Sequence, residues 1–119
     1  MNLEEERQLN LEIARAKWPD SMLCEPYHIG LANIYGVREI LRIWFTRSVD
    51  SCLEVIPPGW RIEILFGTDY LAIIRVPKKP MTPSYKAVGS TYAEALALTL
   101  LQAIRAGENC RGGGFSINK

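Results

Sequence analysis

The chain has 119 residues, the length of one domain, and its 48% apolar and 23% charged content excludes disordered, collagen-like and coiled-coil classes. Fourteen Lys and Arg against thirteen Asp and Glu leave a net charge of +1, which argues against a general polyanion binder. No apolar run is long enough to span a membrane, and the acidic opening MNLEEERQL is the opposite of a signal peptide, so a small cytoplasmic domain is expected.

Asn2 caps a first helix, predicted over about 3–17, with Glu5 at the reciprocal position of a capping box and Glu4 to Glu6 in the first turn. Leu9, Ile13 and Ala16 form its narrow apolar stripe, and Trp18-Pro19 ends it, because proline disfavours helix at the residue before it. Residues 20–36 read as a loop entering a short or interrupted strand. In VREILRIWF (37–45), Val37, Ile40, Leu41 and Trp44 fit a helix face, whereas Leu41, Ile43 and Phe45 fit a strand face. The β-branched and aromatic ending favours strand for the second half.

A second helix is predicted over about 47–56, capped by Thr46 or Ser48, with Val49, Cys52, Leu53 and Ile56 on its apolar side. Pro57-Pro58-Gly59 stops it. The alternating WRIEILF, the turn residues Gly67-Thr68-Asp69 and the returning YLAIIRV then predict a hairpin. The returning strand is apolar on both faces, as expected of a central strand in a sheet covered on both sides. After the proline-rich PKKPMTP, SYKAV (84–88) supplies a third strand. Thr91 with Glu94 makes a second capping box for a helix over about 91–106, whose C′ residue is Gly107. The expected architecture is α+β: a layered α/β/α sandwich of three helices and a mainly antiparallel sheet of three to five strands. Residues 1–107 form the domain, and 108–119 a flexible glycine-rich tail.

Several motifs then resemble the phage ABA sandwich domain, a small αβα sandwich of bacteriophage and prophage proteins. A short N-terminal helix ends in tryptophan (EIARAKWPD), and an aromatic Thr/Ser segment opens a helix carrying an aspartate (FTRSVDSCLEVI). A GW dipeptide starts a strand (PPGWRIEIL), and the final Ala-rich helix opens with Thr-x-Ala-Glu-Ala (TYAEALALTLLQAIRAGE). The resemblance covers roughly 1–107; where the family often shows a single strand pair before the central helix this chain carries the longer GLANIYGVREILRIW, and the glycine-rich tail has no counterpart in it. It implies a phage accessory protein acting in an infected bacterium, and it brings no catalytic residues.

The residues themselves point away from catalysis. His28 is the sole histidine, so a two-histidine metal site within the chain is excluded. Cys24 and His28 lack further ligands at standard spacing and an oxyanion motif, and phosphate-loop glycine patterns are absent. Three cysteines without a CxxC pair read as reduced thiols, with Cys52 a core residue. Trp18 and Trp60 read as packing residues. No catalytic, cofactor or metal residue is predicted. The candidate partner-binding residues are Arg38, Arg42, Trp44 and Arg47, because arginines beside aromatics serve as interface hot spots or bind phosphates. The reading is a non-enzymatic phage-encoded protein that binds and inhibits a host protein, with a defence component among the candidates. Alternatives are an oligomeric nucleotide-sequestering protein and a weak nucleic-acid binder, the latter disfavoured by the near-zero charge.

Overall fold

The computed structural model describes residues 2–19, 21–24, 28–33, 36–41, 45–78 and 81–108, with the backbone course alone for the strands between 22 and 41. The fold is a layered α+β sandwich of three helices and antiparallel sheet, as expected. Among the described residues no helix is long and apolar enough to cross a membrane.

Helix α1 (Leu3–Lys17) begins at the expected capping box: Glu5 N–H donates to Asn2 Oδ1 at 2.8 Å and Asn2 N–H to Glu5 Oε1 at 3.0 Å. These bonds satisfy two donors that the first turn of a helix cannot pair by itself. Strands β1 (Met22–Cys24), β2 (His28–Asn33) and β3 (Gly36–Leu41) form an antiparallel meander with a register shift between Leu31 and Ala32. Strand therefore covers Val37 to Leu41, which removes the helical alternative there: pairing with β2 supplies ladder partners that the local pattern does not reveal. Of the second half, expected as strand, 42–44 lie outside the described residues and Phe45 belongs to a 3₁₀ turn instead.

A 3₁₀ turn (Phe45–Arg47) leads to α2 (Val49–Val55), where Ser48 Oγ accepts from Ser51 N–H. The apolar side of α2 differs from the expected stripe: Cys52, Val55 and Ile56 are buried, while Leu53 is 45% exposed. The helix ends at Val55, and Ile56 continues in extended backbone, so helical spacing no longer governs where Ile56 points. Cys52 is the expected core residue; burial pushes its thiol up to about 12, and its Sγ lies 3.1 Å from the Phe45 carbonyl.

Strands β4 (Arg61–Phe66), β5 (Tyr70–Arg75) and β6 (Ser84–Gly89) form a second antiparallel meander with β5 at its centre. One face carries Ile62, Ile64, Ala72, Ile74 and Tyr85 into the core, against Leu96, Leu100 and the alanines of α3 (Tyr92–Arg105). The Thr99 hydroxyl joins helix to sheet, 3.1 Å from the Ala72 carbonyl and 2.7 Å from that of Ala95. Helices α1 and α2 pack against α3. Cover on both faces of β5, expected from its composition, is not what the described residues show: helix lies on one face, and Leu65 and Val88 on the other are half-exposed. A continuous apolar strand marks the centre of a sheet, but it does not say what lies on each side.

The C-terminus of α3 closes as a Schellman motif, with Gly107 at φ +97°, Gly107 N–H donating to Ile104 O and Glu108 N–H to Ala103 O. The capping box at its start is shifted. Thr91 Oγ1 accepts from Glu94 N–H, but the Glu94 carboxylate accepts from Ser90 rather than from Thr91. The tail boundary also needs correction: Glu108 is buried and belongs to the fold, since it takes part in the cap and bonds Tyr85 and Lys78. Residues 109–119, the rest of the expected tail, lie outside the described residues.

Candidate functional site

Of the four residues nominated by sequence, Arg47 alone has a described side chain. Arg38 lies in β3, where only the backbone is described, and Arg42 and Trp44 lie outside the described residues. The 3₁₀ turn sets Arg47 beside α1, where its Nε and Nη2 donate to the two Glu6 carboxylate oxygens at 2.9 and 3.0 Å. The Thr46 hydroxyl donates to the same carboxylate, and Asn10 ties the turn to the helix from beneath. This forked pair occupies the Nε–Nη2 edge of the guanidinium, one of the two edges with which an arginine grips phosphate.

Arg47, Thr46 and Glu6 line a notch of about 190 Å³ together with Ser90, Thr91 and Glu94 from the start of α3. Hydrogen bonds from the Ser90 hydroxyl and amide hold the Glu94 carboxyl below the usual carboxylate range, against smaller opposing effects of partial burial and of Glu6. A general acid acting near neutrality needs the opposite, a carboxyl that keeps its proton. A second cleft, about 510 Å³, runs between α1 and α3 over Leu9, Leu98 and Leu101, bridged at its rim by Glu12 and Arg105.

Next to the notch the chain shows an exposed aromatic row. Tyr92, which follows Thr91, meets Tyr70 edge-on at 4.3 Å, and Tyr70 meets Phe66 at 4.6 Å. Phe66 is 63% exposed and Tyr92 41%. The alternation Trp60, Ile62, Ile64, Phe66 puts Phe66 on the core face, and the period is right. At this end of the face, however, Phe66 packs on Tyr70, its partner across the hairpin, and Tyr70 in turn on Tyr92, the first residue of α3, rather than into the buried core. Sequence reasoning missed this row; a large aromatic in the last position before a hairpin turn was its signal.

Elsewhere, the β1–β2 register sets Cys24 directly opposite His28. Among the described residues no group of three or more His, Cys, Asp and Glu could hold a metal ion. Trp18 and Trp60 pack against the core as expected. On the surface, Arg75 bonds Glu63 and Lys78 bonds Glu108. No protein-family model matches the chain, and no curated protein or solved structure matches it significantly.

Proposed function

We propose that this chain is a non-enzymatic phage accessory protein that binds and inhibits a bacterial host protein in the host cytoplasm, with a defence-system component as the first class to test. The observation that carries the reading is the aromatic row Phe66–Tyr70–Tyr92, exposed at its two ends and adjoining the notch that holds Arg47. Aromatics packed on one another at a partly exposed surface are the composition of interface hot spots, because they bury much area for little loss of side-chain freedom. The phage context comes from the sequence motifs that resemble the ABA sandwich family. Arg38, Arg42 and Trp44 extend the same proposal into the segment that precedes Arg47.

The test is affinity capture from host lysate with three forms of the protein: wild type, Phe66→Ala/Tyr92→Ala, and Arg38→Ala/Arg42→Ala/Arg47→Ala, matched in melting temperature. Wild type should retain one stoichiometric host protein. The aromatic variant should lose it, since truncating a hot spot costs at least about 2 kcal/mol, roughly thirtyfold in affinity. Retention by the aromatic variant would remove this surface from the proposal. A nucleotide released from the denatured eluate, with no protein captured, would replace the reading by nucleotide sequestration.

A further inference from the structure

The outer face of the β4–β5–β6 sheet has a pattern of its own. The register sets Leu65, Leu71 and Val88 side by side in one row, Glu63, Ile73 and Lys86 in the next, and Arg61, Arg75 and Ser84 in the third. Leu65 is 51% exposed and Val88 54%, and no described helix packs here, α3 being bound to the opposite face. An apolar row flanked by charge on an open sheet face is the composition of a contact surface.

The geometry points to a second copy of this chain as the occupant, in a two-fold dimer whose axis runs along β5. Half a turn about that axis lays β4 of one subunit over β6 of the other and sets each row against itself in reverse order. Leu65 then faces the partner subunit's Val88, and Leu71 and Ile73 face their own counterparts on the axis. Glu63 faces the partner subunit's Lys86, and the same pair recurs on the other flank. An axis across the strands fails by the same register: it sets the leucine row on the arginine row, Glu63 on Glu63 and Lys86 on Lys86.

Arg75 is the residue that could oppose the dimer, because it too lies on the axis. Its Nη1 bonds Glu63 Oε1 at 2.6 Å, which draws the side chain toward β4. The two-fold sends the second guanidinium toward the opposite flank, so the like charges diverge. Strands of facing sheets lie within about 30° of each other, and an axis along β5 keeps them so. Strand spacing and rise give a footprint of about 15 by 20 Å, well under the roughly 800 Å² per partner of a standard interface. The dimer is therefore weak and forms reversibly with concentration.

Sedimentation velocity on the full chain, from micromolar to near-millimolar concentration, tests the proposal. Wild type should pass from the mass of one chain toward two. Lys86→Glu sets two carboxylates face to face twice per dimer and should weaken association at least tenfold. The exchange Glu63→Lys/Lys86→Glu should restore association to within a few-fold, and Leu71→Lys, on the axis, should abolish it. Melting temperatures of all variants confirm that each is folded. A single-chain mass at every concentration overturns the proposal. So does a dimer indifferent to both Lys86→Glu and Leu71→Lys, since it uses another surface, and failure of the charge exchange to restore association overturns the axis along β5.

Discussion

Asn10 is fully buried on α1, where an amide left without partners would carry a large desolvation cost. It has partners on both sides: Nδ2 donates to the Glu6 carbonyl at 2.7 Å and lies 3.2 Å from Thr46 Oγ1, while Oδ1 accepts from Thr46 N–H at 3.3 Å. The amide thus fastens the 3₁₀ turn to α1 and places Thr46 and Arg47 against Glu6. None of this is legible in sequence, because Asn10 and Thr46 are 36 positions apart, Glu6 and Arg47 41, and no local periodicity connects them. The bonds also set the expected effect of a substitution. Asn10→Leu fills similar volume but leaves the buried Thr46 N–H unpaired, which costs about 1–3 kcal/mol. Urea unfolding should show a lower midpoint at unchanged slope, the sign of lost stability rather than an altered denatured state. An unchanged midpoint would mean that Thr46 finds another partner.

At the level of elements, what the sequence declares follows from how local the cause is. Helix α1 has the expected bounds, since Asn2, Glu5 and Pro19 act within a turn of the residues they cap or stop. The β4–β5 hairpin and α3 were legible for the same reason. The meander of 22–41 was not, because its strands are defined by pairing with one another rather than by alternation within each. Gly89 is a case between the two. It ends β6 just before the cap of α3, and a Cβ there would lie 2.6 Å from the backbone nitrogen of Ala95. The close approach belongs to the strand–helix corner, and backbone cannot yield as a side-chain tip can. Gly89→Ala should therefore destabilise by roughly 1–3 kcal/mol, although alanine is ordinarily the better residue within a strand. Gly67→Ala serves as the control, since its added Cβ would meet nothing within 4 Å. Calorimetric melts of the two variants should separate clearly; equal losses would mean that the corner opens without cost.

For the molecule as a whole, the ties of α3 set the pH range of stability. Glu12 binds Arg105 through two contacts of 2.8 Å, Glu94 binds Ser90, and the buried Glu108 carboxylate accepts from the Tyr85 hydroxyl at 2.6 Å and from Lys78 at 2.8 Å. All three carboxyls are held below their ordinary value of 4.5. At Glu108 burial alone would raise it, but the hydrogen bonds from Lys78 and Tyr85 outweigh that. A carboxyl depressed by folding binds fewer protons in the native than in the unfolded chain. Its stabilisation is therefore present above about pH 4.5 and is lost as pH falls through the native value. At the alkaline end the sign reverses. The Cys52 thiol is raised from 9.0 to about 12, so the unfolded chain loses that proton first and stability declines as pH rises between those values. Removing the Glu108 charge separates these limbs. Glu108→Gln should cost about 1–3 kcal/mol at neutral pH, the worth of hydrogen bonds to a buried charged group. The difference from wild type should shrink as pH falls below 4.5, where protonation makes the native carboxyl resemble the amide. Thermal melts of both proteins across that range read the gap directly, and a gap that stays constant into strong acid would assign the stabilisation to the shape of the side chain rather than to its charge.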